Sequence, residues 1–169
     1  MNERYPIGEF SCNEVISSEE IQQWIQDIKT LPARLIEALT ELEVEMLKKT
    51  YREGGWTIQQ LVHHIADSHL NSYIRFKLAL TEKNPTIKPY AEDHWAELAD
   101  SNLPIEVSLT LIKGLHERWV YLLENLTDEQ LKSTFIHPQS GVITLEKNIG
   151  IYAWHGNHHL AHIKNAIQK

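Results

Sequence analysis

The sequence predicts an all-α fold: a four-helix bundle with short accessory helices and a possible small β-hairpin. Three observations carry that expectation. Apolar residues recur at helical spacing in four separated stretches. Ser/Thr-x-x-Glu/Gln capping signals stand before several helical stretches. Only Phe135 to Thr144 reads as strand, with Pro138 to Gly141 as its turn.

Residues 1–16 carry Pro6 and Gly8 without a sustained period and read as an extended arm. Ser17 and Glu20 form a capping box ahead of Ile21, Trp24, Ile25 and Ile28. Pro32 lacks an N–H and is expected to kink or restart this helix, which resumes through Leu35, Ile36 and Leu39. Thr40 and Glu43 are a second box, expected to open a short helix to about Lys48. A Gly54-Gly55 loop follows. Thr57 and Gln60 then cap the next helix, and Trp56 and Leu61 are spaced as a hydrophobic staple. Pro85, Pro89 and Pro104 make 81–104 a long loop with a short helix near 91–98. A third long helix spans Ile105 to Leu126, and Thr127-Asp-Glu-Gln130 caps one turn or two. Thr144 caps the last helix.

The 169 residues are expected to form one domain, residues 1–169, large enough for a core without staples. The single cysteine, Cys12, excludes an internal disulfide and fits a reducing, cytoplasmic setting. No signal peptide is apparent, and no apolar run reaches the roughly 20 residues that span a bilayer, so no membrane partner is expected. With 23 acidic against 16 basic residues, the net charge of −7 argues against a nucleic-acid partner.

The chain holds ten histidines, and four of them fall between 155 and 162. His158 and His162 are four apart on a helix, and so are His155 and His159. Two imidazoles at that spacing can converge on one metal ion. The last helix is apolar nearly all round, as a buried helix is, and buried imidazoles need partners. His158 and His162 share a seam with Ile151, and His155 lies on that seam too. A third ligand is expected from the Thr57 helix, where spacing ranks His69 and His64 as near equals and points His63 away. His94, His116 and His137 read as isolated, solvated or capping residues. Asp67 reads as a surface carboxylate or as a partner orienting an imidazole.

The run Tyr51 to Lys77 and the terminal Trp154-His-Gly-Asn-His-His-Leu-Ala-His-Ile163 resemble the two ligand-bearing helices of the YfiT-like branch of the DinB superfamily. Tyr5-Pro-Ile-Gly-Glu9 and Leu126-Thr-Asp-Glu-Gln130 are similar as well, so the resemblance covers nearly the whole chain. It implies a four-helix bundle, a homodimer and one divalent metal per chain, zinc or alternatively nickel, held by three histidines. Carried over by position, these are His64, His158 and His162. Asn157 stands where relatives have histidine, a position outside the implied ligand set.

The resemblance implies a metal-dependent enzyme of one of two kinds. The first transfers a low-molecular-weight thiol of bacillithiol type to an electrophile; the second is a hydrolase using metal-activated water. Thiol transfer is the expectation from the residues, because no carboxylate lies between His158 and His162 to serve as general base, whereas a coordinated thiol ionises unaided. A non-catalytic, stress-response metal-binding scaffold is the third reading.

Overall fold

The computed structural model describes residues 2–169. Four long helices form the body: α1 (Ser18–Leu39), α2 (Ile58–Thr81), α4 (Ile105–Glu124) and α6 (Leu145–Ile167). Two short helices, α3 (Glu92–Trp95) and α5 (Asp128–Leu131), two 3₁₀ turns (Val44–Lys48 and Ala99–Asn102) and the strands β1 (Thr134–His137) and β2 (Gly141–Thr144) complete the order. The helix α1 packs against α4 and α6, and α2 packs against the same two. Helices consecutive in the chain therefore need not be neighbours: α1 and α2 lie across the bundle, joined by a stretch holding a 3₁₀ turn at Val44–Lys48. The antiparallel hairpin β1–β2 pairs Thr134 with Thr144 and lies in the α4-to-α6 connection, where Gly141 at φ +81 supplies the turn conformation. No helix among the described residues is long and apolar enough to cross a membrane.

The helix starts follow their caps. Ser17, Thr57 and Thr127 each accept from the backbone N–H three residues on, and Glu20, Gln60 and Gln130 reach back to close the boxes. The Thr40 box does not form. Thr40 instead ends α1, its hydroxyl donating to Ile36 O at 2.7 Å, and the next turn is 3₁₀ with no side-chain cap. Pro32 does not break α1 either; the helix runs through it with Pro32 buried. Burial against the bundle outweighs the lost hydrogen bond.

The core has two apolar clusters. Ile25, Ile28, Phe76, Trp119, Leu145 and Ile149 belong to one, and Leu35, Ile58, Leu61, Ile112, Leu160 and Ile163 to the other. Between them along the helices lie the polar residues Ser68, His69, Ser72, His116 and His155. Fully burying one such aliphatic side chain contributes roughly 1.5–3 kcal/mol. These clusters supply the stability that a polar layer between them does not. The helices α1 and α6 meet closely at Gly156, where an added Cβ would fall 2.6 Å from Leu31 Cδ2.

Candidate metal centre

The helices α2 and α6 face each other and bring their histidines to one cleft of about 290 Å³. His64, His155, His158, His159 and His162 line it, together with Tyr51, Trp56, Trp154, Arg4, Arg52 and Glu92. The N-terminal arm forms part of its rim. It is tied down where Trp154 Nε1 donates to Gly8 O at 3.0 Å and where the Arg4 carbonyl lies 3.2 Å from His162 Nε2.

The structure divides the histidines that the resemblance grouped. His64, His155 and His159 offer donor atoms within 4.8 Å of one another, and His158, His159 and His162 form a second such group. Among the described residues, no group of donor atoms that close joins His64 to His158 and His162. The α6 pair turned toward α2 is His155 and His159. The other pair is turned toward the arm: His158 stacks on Trp154 at 4.5 Å, and His162 stacks on Tyr51 at 3.9 Å. His159 belongs to both groups and was outside the expected set, although its spacing from His155 was legible.

His69 joins neither group. Its Nε2 lies 3.0 Å from His155 Nδ1 and its Nδ1 lies 2.8 Å from His116 Nε2. His116, expected to be solvated or capping, is instead buried, at 1% exposure, in the bundle interior. His63 points away from the cleft, donating Nε2–H to Leu103 O at 2.8 Å and accepting at Nδ1 from Ser108. His137 caps the hairpin turn, its Nδ1 accepting from the backbone N–H of Gln139 at 3.2 Å. Asp67 makes no hydrogen bond to an imidazole among the described residues. Burial and the nearby Asp100 push its carboxyl up to about 6. Asn157 faces α1, where it accepts from Arg34 and donates to Asp27.

The residues fit a divalent ion. Burial lowers His64 to about 4, with His158 adding to the shift, and burial also holds His155 and His159 well below the ordinary imidazole value. All three rings are therefore neutral near pH 7, the form that ligates. His64 Nε2 and His155 Nε2 are 3.2 Å apart. Two nitrogens on one tetrahedral zinc at ~2.05 Å are separated by ~3.3 Å.

The sequence also missed an acid. Glu92, on α3 of the long loop, is the only carboxylate lining the cleft among the described residues. Desolvation and then Asp93 raise its pKa. Glu92, brought in by the 81–104 loop, gives the cleft the carboxylate whose absence between His158 and His162 favours thiol transfer.

Comparison with known proteins agrees with this architecture. A protein of Oceanobacillus iheyensis, named provisionally as a metal-dependent hydrolase, is 55% identical over 169 residues, covering 100% of this chain and 98% of its own. A protein of Halalkalibacterium halodurans with the same description is 54% identical over 167 residues, covering 99% and 98%. The solved structure of YfiT from Bacillus subtilis, described as a probable metal-dependent hydrolase with an unusual four-helix bundle topology, superposes with a TM-score of 0.96. It is 49% identical, with 99% of this chain and 97% of that chain covered. The DinB superfamily pattern matches residues 27–163. Family pattern, close relatives and fold agree, and the chain belongs to the DinB superfamily, in its YfiT-like branch.

Proposed function

We propose that this protein is a metal-dependent hydrolase whose ion, of zinc type, is held by His64, His155 and His159. The observation that carries the reading is the joint presence of this neutral three-histidine group and Glu92 on one cleft. The hydrolase descriptions of its relatives support it. When bound, a divalent ion at an open three-histidine site would supply Lewis-acid polarisation and lower the pKa of a water to about 7.

The chain's own groups supply the rest. Glu92 accepts the proton of the attacking water at a carboxylate oxygen and returns it to the leaving group; its raised pKa suits both tasks. Trp56, Tyr51 and Trp154 wall the cleft and limit the access of bulk water. Arg4 and Arg52 also line it, and neither forms an ion pair among the described residues. In a chain of net charge −7, two unpaired guanidinium groups at this place favour a substrate carrying an anionic group.

The test is a panel of ester and amide substrates, in neutral and carboxylate-bearing pairs, given to zinc-loaded protein with and without a low-molecular-weight thiol. The expected result is thiol-independent cleavage that chelation abolishes and that favours the carboxylate-bearing member. Glu92→Gln should lower kcat roughly 10²–10⁴-fold with metal content unchanged. Product formed only by transfer to the thiol would overturn the hydrolase reading.

A further inference from the structure

Pro32 has no N–H, so the carbonyl four residues earlier, that of Ile28, receives no helical hydrogen bond from it. A buried carbonyl without a partner is costly. His116 on α4 takes the place of the missing donor, with Nδ1 at 2.7 Å from Ile28 O.

That contact fixes a chain of protons. A carbonyl oxygen only accepts, so His116 carries its proton on Nδ1, and its Nε2 in the neutral ring is a bare acceptor. His69 Nδ1, 2.8 Å away, must then donate to it. His69 in turn presents a bare Nε2, to which His155 Nδ1–H donates at 3.0 Å. The proton of His155 is thus on Nδ1, and its lone pair is on Nε2, the atom 3.2 Å from His64 Nε2. A second chain reaches the neighbouring ligand by the same logic. His162 Nε2 donates to Arg4 O at 3.2 Å, leaving its Nδ1 to accept from His159 Nδ1–H at 3.3 Å. His159 too is left with its lone pair on Nε2.

We propose that Pro32 and the Ile28 carbonyl it leaves free are positioning elements of the metal centre. Acting through His116 and His69, they hold His155 in the single tautomer that can ligate through Nε2, and the Arg4 carbonyl does the same for His159 through His162. The first chain crosses the whole bundle, from α1 through α4 and α2 to α6, and begins at a residue with no functional side chain. The proposal rests on the reading of His155 and His159 as ligands. Partners that orient ligating imidazoles typically change metal affinity 10–100-fold when removed.

The experiment uses full-length, metal-free protein with ¹⁵N-labelled histidine. Long-range ¹H–¹⁵N correlation spectra report which ring nitrogen carries each proton. Wild-type His116, His69, His155 and His159 should all be Nδ1–H tautomers. Pro32→Ala restores a competing N–H to Ile28 O while improving helix propensity, so loss of fold would not mimic the effect. It should mix the His155 tautomers, leave His159 unchanged and weaken zinc binding severalfold. His116→Leu should weaken zinc binding 10–100-fold. His116→Gln, which can donate to Ile28 O and accept from His69, should restore most of it. An Nε2–H tautomer at His155 in the wild type, or an unmoved tautomer and zinc affinity in both Pro32→Ala and His116→Leu, would overturn the proposal. Failure of the ligand reading has a separate mark, stoichiometric zinc in His155→Ala, and would overturn the positioning role with it.

Discussion

His155 and His159 on one side, and His158 and His162 on the other, are two pairs of identical chemistry and identical spacing on one helix. They differ in what surrounds them. The first pair faces His64 on α2, and each ring gives its Nδ1 to another histidine. In the second pair, His162 is committed to the Arg4 carbonyl, and the buried Nδ1 of His158 has no hydrogen-bond partner among the described residues. Spacing makes a pair of imidazoles able to chelate. The partner of the far nitrogen, and the element opposite, decide which pair is prepared to do so.

The sharpest way to break this comparison is to remove one ring from each pair. His155→Ala or His159→Ala should abolish stoichiometric zinc, while His158→Ala should keep it, as read by elemental analysis of purified protein. His162→Ala should fall between, with affinity lowered 10–100-fold, because it acts through His159. Full zinc in His159→Ala together with none in His158→Ala would invert the comparison and restore the ligand set implied by resemblance.

Acid should act on the metal-free protein next. His64 and His116 are lowered by burial to about 4, below the ~6.5 of an unfolded chain. The unfolded state therefore takes up these protons first, and the stability they contribute is complete above pH ~6.5 and lost as pH falls toward 4. Urea midpoints measured across that window should drop steadily, and zinc-loaded protein should resist acid until the ligands protonate and the ion leaves. A flat midpoint from pH 7 to 4.5 would contradict the buried, neutral histidine layer.

Packing and capping give smaller effects. Gly156→Ala drives a methyl group into Leu31 and should cost roughly 1–3 kcal/mol in denaturant unfolding. Leu31→Ala in the same chain should recover part of that loss, since it opens the space. Thr57→Ala should cost about 1 kcal/mol, because its box caps the helix that carries His64. Thr40→Ala should cost less, its box being absent.

Much of the fold was legible. The Thr57 and Thr127 boxes, the Ser17 cap, the hairpin at Phe135–Thr144 and the start of α4 at Ile105 all follow from local chemistry, which acts over three or four residues. Thr40 failed for an equally local reason: its hydroxyl had a competing acceptor in Ile36 O. The site was legible only as a cluster. Both α6 pairs have the same spacing on a helix that is apolar nearly all round, so periodicity could not say which of them meets α2. His116 and Glu92 were invisible for another reason. Each lies far in sequence from the residues it meets, and only the packing of α4 and the path of the 81–104 loop bring them there.

Gly156 bears on that ambiguity in angular terms. The two histidine pairs are offset by three residues, so exchanging them would take about 60° of rotation and about 4.5 Å of slide along α6. At 156 the backbone of α6 lies against the Leu31 side chain with no room for a Cβ. That exchange would put His159, three residues on, in the place of the glycine, with its bulk at a point of the α1 contact that has no room for a Cβ. The missing side chain thus indexes α6 to a single rotational setting, and a helix with two interchangeable pairs presents one of them to α2.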